Sequence, residues 1–244
     1  MIDVVFLPAL LDRSVLPRAQ VVVFDVLRAT SSIVTALAHG AQEVRLFGTI
    51  EEATGARAGL PAPVLLAGER KCIKPAGFDM GNSPAEFAGA AVRDATICLT
   101  TTNGTVAALA ARGAQKMFVG SLLNAEATAR ALAQNVNALD TLLLCAGTEG
   151  RISSEDVLGA GAVLFALLQL TYRTDLPFTD SAWIAYHAFA AARARLPAAL
   201  RLGQGGVNLI RANLESDIDL CAALDCHPLA VTLLPEPLRA MLAK

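Results

Sequence analysis

The chain is 244 residues long, with a formal net charge of -2 and 17% charged residues. It has no Lys/Arg cluster, which argues against a nucleic-acid surface, since that needs a clustered basic footprint. A hydrophobic fraction of 54% at this length fills the core of one large α/β domain or of two closely packed lobes.

The chain opens on "MIDVVFLPALLDRSVLPRAQ", where Pro8, Asp12 and Arg13 break the apolar run and no basic n-region or small-residue cleavage site is present. Short β-branched or aliphatic runs then recur: "VVFLP", "VVVFD", "EVRLF", "PVLLAGE", "TICLT", "KMFVG" and "TLLLCAG". Most lead into Ala-rich stretches of helical period. Strands without polar alternation, separated by amphipathic helices, predict a largely parallel or mixed sheet covered on both faces. The expected fold is a three-layer α/β/α sandwich with a helix-rich C-terminal part. The apolar run Val157–Leu170, about 14 residues, is short of the roughly 20 that span a bilayer and reads as a buried helix. "AVTLLP" is a late strand, and "TYRTDLPFTD", residues 171–180, is the break between two packed lobes if the single domain 1–244 divides. Five cysteines without metal-like pairing fit free thiols in a reducing compartment. The protein is therefore expected in the cytoplasm, bound to no membrane or nucleic acid, and its Ala/Leu-rich helices leave room for a homodimer interface.

Ligands of parallel α/β sheets collect outside the carboxyl ends of the strands, so the strand-end loops carry the chemistry. Asp25 ends "VVVFD", and Arg28, Thr30 and Ser31 follow within one turn. A guanidinium beside a helix N-terminus suits phosphate, while Thr30 or Ser31 as a simple helix cap explains the same residues without a ligand. "AGERKCIKPAGFDMGNSP" gathers Glu69, Arg70, Lys71, Lys74, Asp79, Asn82 and Ser83. Capping and Pro84 at the first helical position account for Asn82 and Ser83, but not for Glu69 and Asp79. Carboxylates interleaved with cations fit Mg²⁺, which takes one or two carboxylates plus substrate phosphate. "TTTNGT", Thr100–Thr105, joins a strand to a helix. One cap explains one of Thr101, Thr102, Asn103 and Thr105; with Gly104 permitting close backbone approach, the others can surround an anion.

"LLLCAGTEGRISSED" offers a rival. Cys145 and Arg151 stand in the C-x5-R spacing of cysteine phosphatases, although Leu144 replaces the expected His and Ile152 follows the Arg. Glu155 and Asp156 either compensate the next helix's dipole or add a metal arm. A haloacid-dehalogenase reading of Asp25 lacks its second Asp, Leu27 standing there, and no G-x-G-x-x-G follows a first strand. His39, His187 and His227 lie outside these loops.

Taken in order, "DVLRATSSIVTAL", "GERKCIKPAGFDMGNSPAEF", "LTTTNGT", "GSLLNA" and "CAGTEGRISSED" closely resemble the 2-phosphosulfolactate phosphatase family, over about Val21 to Pro235. The resemblance implies an Mg²⁺-dependent hydrolase releasing phosphate and sulfolactate from 2-phospho-3-sulfolactate, a step of coenzyme M biosynthesis. It implies a site at Asp25, Arg28, Thr30, Ser31, Glu69, Arg70, Asp79, Asn82, Ser83, Thr101, Thr102, Asn103, Thr105, Cys145, Gly147, Glu155 and Asp156. The segment Lys71-Cys72-Ile73-Lys74 departs from the Gly-rich variation expected there. The resulting expectation is Mg²⁺ held by Asp25 with one or more of Glu69, Asp79 and Asp156, activating water against a small phosphorylated anionic substrate. Arg28, Arg70 and the Thr/Asn loop would hold its oxygens, and an Arg or Lys74 its second anion. Cys145 as a nucleophile and a non-enzymatic binder of a phosphorylated metabolite remain the alternatives.

Overall fold

The structure, a computed structural model, describes residues 1–173 and 175–243. Each aliphatic run forms a strand: β1 (Ile2–Val5), β2 (Ala19–Phe24), β3 (Glu43–Leu46), β4 (Val64–Gly68), β5 (Thr96–Thr100), β6 (Lys116–Gly120) and β7 (Asp140–Cys145), followed late in the chain by β8 (Val231–Pro235) and β9 (Leu238–Leu242). Between and after them lie α1 (Ala29–Ala38), α2 (Ile50–Arg57), α3 (Pro84–Phe87), α4 (Gly104–Ala110), α5 (Ala125–Ala133), α6 (Ser154–Thr171), α7 (Asp180–Ala192), α8 (Leu196–Leu202), α9 (Gln204–Arg211) and α10 (Ser216–Cys221). The fold is a mixed α/β architecture whose nine-stranded sheet is mostly parallel.

Every position of β2 and β5 is buried, as a sheet covered on both faces requires. The alternating pleat divides β2 between two cores: Val21 and Val23 join α1 and α4 on one face, Val22 and Phe24 join α5, α6 and α7 on the other. A smaller cluster sets Ala53 of α2 on Leu66 and Cys98. Helix α6 has a mean hydropathy of 1.3 over 18 residues, long and apolar enough by length and composition to cross a membrane. Here it packs into the second core, where a Cβ on Gly161 would stand 2.7 Å from the Cβ of Phe189.

The strand order is β1-β7-β2-β6-β8-β9-β3-β5-β4. β1, β7, β2 and β6 are mutually parallel, as are β3, β5 and β4, and the antiparallel hairpin β8–β9 joins the two groups. β9 was not foreseen: "LRAML" is composed mainly of good helix formers, and pairing with β8 and with Val44 and Arg45 of β3 overrides that preference. Three successive antiparallel pairings set the two groups running in opposite directions, so in a flat sheet their carboxyl ends would lie at opposite edges. Twist of roughly 20–25° per neighbour accumulates to more than about 100° between β2 and β5. The carboxyl ends consequently meet: α4, which follows β5, packs on β2, and a Cβ on Gly104 would stand 2.8 Å from Asp25 Oδ2.

Of the expected break at 171–180, Thr174 lies outside the described residues. Ile2 N donates to Pro177 O (2.9 Å) and Thr179 N to Ile2 O (3.0 Å), so residues 177–179 run beside β1. Lys244 is likewise outside the described residues.

Candidate active site

Asp25 follows β2 directly. Its carbonyl accepts the Thr30 N–H (2.9 Å) and its own N–H donates to Thr30 Oγ1 (3.2 Å), closing the turn into α1. The side chain then faces the starts of α1 and α4, close to the backbone amides of Ala29 and Gly104. Burial pushes its carboxyl up to about 7; the charges of Glu69 and Glu155 add to the rise, and the two amides oppose it. Thr30 is thus a brace for the turn, and Ser31 another, its Oγ donating to Val26 O (2.8 Å).

Glu69, just beyond β4, is fixed by three donors. Thr102 N and Oγ1 each donate to Oε1 at 2.9 Å, and Cys72 N donates to Oε2 at 2.8 Å. The Cys72 donor comes from a tight turn in which Arg70 and Ile73 exchange backbone hydrogen bonds and Lys71 and Cys72 take positive φ.

Each residue of "TTTNGT" has its own task. Thr100 Oγ1 accepts from Arg70 Nη2 (2.8 Å). Thr101 Oγ1 accepts the Thr105 N–H at 3.3 Å, and the two hydroxyls lie 3.3 Å apart, closing the first turn of α4. Thr102 fixes Glu69, Asn103 faces the hollow described below, and Gly104 lets α4 approach Asp25.

Arg28 and Asp217, both almost fully buried, form an ion pair (Nη1 to Oδ2, 2.6 Å), and Ser83 Oγ donates to Asp217 Oδ1 (2.6 Å). Asn82 is 4% exposed; its carbonyl accepts from Ser32 Oγ (2.9 Å), while its side-chain Oδ1 is buried without a partner. Asp25, Arg28, Glu69, Lys71, Asn82 and Asn103 line one hollow of about 90 Å³. A wider one, about 530 Å³, opens where β6 and β8 diverge, but its charged lining is Lys116 and Arg130 alone, with no carboxylate to do chemistry.

A family profile described as 2-phosphosulpholactate phosphatase matches residues 5–234. The chain belongs to this family. Among its relatives, a protein of Deinococcus radiodurans is 43% identical over 215 residues, covering 87% of each chain. One of Symbiobacterium thermophilum is 40% identical, covering 88% of this chain and 89% of its own. One of Thermotoga petrophila is also 40% identical, covering 96% and 95%. All three are named probable 2-phosphosulfolactate phosphatases.

The site that a member of this phosphatase family presents here departs from the sequence expectation at several residues. Asp79 stands away from the hollow, its Oδ2 accepting from Leu66 N (2.8 Å) and paired with Arg57 Nη1 (3.1 Å), so it anchors α2 to β4. Asp156 lies behind Asp25. Its two oxygens accept from Val26 N (2.8 Å) and Gly147 N (2.9 Å), and burial, Asp25 and Glu155 push its carboxyl well up. Neither residue lines the hollow. Arg70 donates to Glu69 O and Gly48 O as well as to Thr100, and Lys74 is exposed outside the lining. Gly147 acts through its N–H on Asp156.

Cys145 is fully buried in the core with Phe24 and Val163, and burial followed by the charges of Asp156 and Glu155 pushes its thiol well up. Thiolate chemistry needs a lowered pKa and access. Arg151 is exposed and bridges to Thr148 through its main chain only. The C-x5-R spacing therefore builds no anion cradle.

The sequence reading missed Asp217, Gly205, Asn208 and Leu209, of which the last three line the hollow. "GQGG", Gly203–Gly206, was the available signal: clustered glycines opening a helix allow close approach. Glu155 lies against these glycines, and burial raises its carboxyl; a Cβ on Gly203 would lie 2.7 Å from Glu155 Oε2.

Proposed function

We propose that this chain hydrolyses 2-phosphosulfolactate to sulfolactate and phosphate by attack of water, with Mg²⁺ at Asp25 and Glu69. The observation that carries the reading is the meeting of these two carboxylates at one hollow with Arg28, at the rim where two helices begin. The donor set fits the ion. Among the described residues no group of three or more His, Cys, Asp or Glu is placed to hold a metal, and Mg²⁺ characteristically uses only one or two carboxylates, completing its shell with water and phosphate oxygens. Repulsion from Glu69 raises the Asp25 carboxyl, and a cation shared between them removes that repulsion. Bound there, Mg²⁺ supplies positive charge at the phosphate and a more acidic water.

The chain's own residues supply the rest. Thr102 and Cys72 fix Glu69 against rotation, and the amides of Ala29 and Gly104 hold Asp25 ionised once a cation is present. Arg28 offers its remaining N–H groups to phosphate oxygens as charge develops. The main-chain N–H groups at the starts of α1 and α4 favour an anion at the same rim.

The test is phosphate release from 2-phosphosulfolactate by the purified protein. Release is expected to stop with EDTA, to return with Mg²⁺, and to fall at least about 10³-fold in Asp25→Asn. Undiminished release in EDTA would remove the metal from the reading; release from no phosphorylated hydroxy acid would leave a binding protein.

A further inference from the structure

Beside β6 the second face of the sheet is left open. A βα crossover brings its own cover, and α5, which follows β6, lays Ala125, Ala129 and Leu132 into the same core as Phe118. The hairpin β8–β9 brings none, because only Glu236 and Pro237 join its strands. Its residues alternate accordingly. Val231, Leu233, Leu238 and Ala240 are buried in the first core, while Thr232, Leu234, Arg239 and Met241 on the other face are half-exposed. The ladder also stops short: β6 pairs with β2 from Lys116 to Gly120 but with β8 only at Phe118 and Val119, so past that point each strand has an open edge. The space left is the hollow of about 530 Å³ described above.

We infer that this hollow is a second binding site, for an organic anion with an apolar body. A concave space of roughly 300–1,000 Å³, mainly apolar with a few placed polar groups, suits a small molecule. Phe118, Ala127, Ala131 and Leu234 supply the apolar lining, Lys116 and Arg130 supply its charge, and no carboxylate lines it. Glu126, outside the lining, holds the Arg130 guanidinium through Nε and Nη2 and leaves Nη1 for an occupant. Charge complementarity sets the class. In a chain of net charge -2, two cations over an apolar floor attract a carboxylate or phosphate head and repel an ammonium. The head sits on Lys116 and Arg130, and the apolar body lies along Ala131 and Leu234. The site is separate from Asp25: Gln20 of β2 stands opposite Lys116 in a parallel register, which puts Asp25 about 16 Å further along the strand direction.

The test is calorimetric titration of the whole protein with decanoate, decyl phosphate and decyltrimethylammonium, each below its micelle-forming concentration. One or both anions bind at a single site and the cation does not; the ratio of the two anions' affinities tells a carboxylate head from a phosphate. Lys116→Glu loses a charge-assisted hydrogen bond and weakens anion binding at least about tenfold. Ala131→Phe fills the hollow and removes binding, with circular dichroism unchanged in both variants. No binding of either anion by the wild type overturns the site, as does equal affinity for the cation or undiminished anion binding in either folded variant. Should Ala131→Phe fail to fold, Lys116→Glu, a change at an exposed residue, decides alone.

Discussion

Asp25 shows how much of a residue's chemistry belongs to its surroundings. Its position at the end of a strand is legible in "VVVFD"; its carboxyl near 7 is not, because that value comes from burial beside Glu69 and Glu155. The folded protein therefore holds a proton that the unfolded chain, at the ordinary 3.8, has already released between about pH 4 and pH 7. Stability of the metal-free protein falls as pH rises through that window, on the order of a few kcal/mol. Glu155 and Asp156, also raised, act in the same direction. Asp25→Asn is expected to melt at a higher temperature than the metal-free wild type at pH 8 and to flatten the pH dependence, measured by thermal denaturation. Cys145 is the reverse case, a sequence pattern emptied by its environment. Cys145→Ala should lose about 1–2 kcal/mol of stability through a small core cavity and keep phosphatase activity within about twofold; a full loss of turnover in a folded variant would restore the thiol to the mechanism.

At the scale of elements, the site depends on how closely two helix starts approach one carboxylate. The polar join "TTTNGT" and its glycine were visible in the sequence, but whether they surrounded an anion or merely capped α4 was open. The structure divides the tasks, with Thr101 and Thr105 closing the turn and Thr102 reaching across to Glu69. Gly104 leaves no room for a side chain, since a Cβ there would stand 2.8 Å from both Asp25 Oδ2 and the Ala29 Cβ. Gly104→Ala must push α4 away from Asp25. A displacement approaching 1 Å is expected to lower turnover about 10²-fold, with circular dichroism unchanged, and near-normal turnover would show that α4 has room to shift. The loop after β4 was legible as a group of charges, yet its members separate: Glu69 turns to the hollow and Asp79 to Arg57. Carboxylates of one loop carry no signal for which way each faces.

Across the whole molecule, the C-terminal helices close the site that the strands open. Asp217 on α10 pairs with Arg28 on the first βα turn and with Ser83 before α3, joining segments remote in sequence. Removing one partner of a buried pair leaves an uncompensated charge, so Asp217→Ala should cost about 3–5 kcal/mol, read as a lower urea midpoint. Asp217→Asn, which keeps an acceptor for Ser83 and Arg28, should cost less. Nothing in "SDIDLC" distinguishes Asp217 from Asp219, which pairs at the surface with Arg201.

By itself the sequence determined the strand runs apart from β9, the buried apolar helix, the α/β class and the set of strand-end residues, because these follow from local hydrophobic period and from chemistry carried at each position. Tertiary structure alone decided which of those residues meet. The hairpin β8–β9 reverses the second group of strands and the accumulated twist brings its carboxyl ends back to Asp25, so proximity is set by pairings between residues up to about two hundred positions apart. No short segment encodes such pairings, since their free energy exists only once the intervening chain has folded.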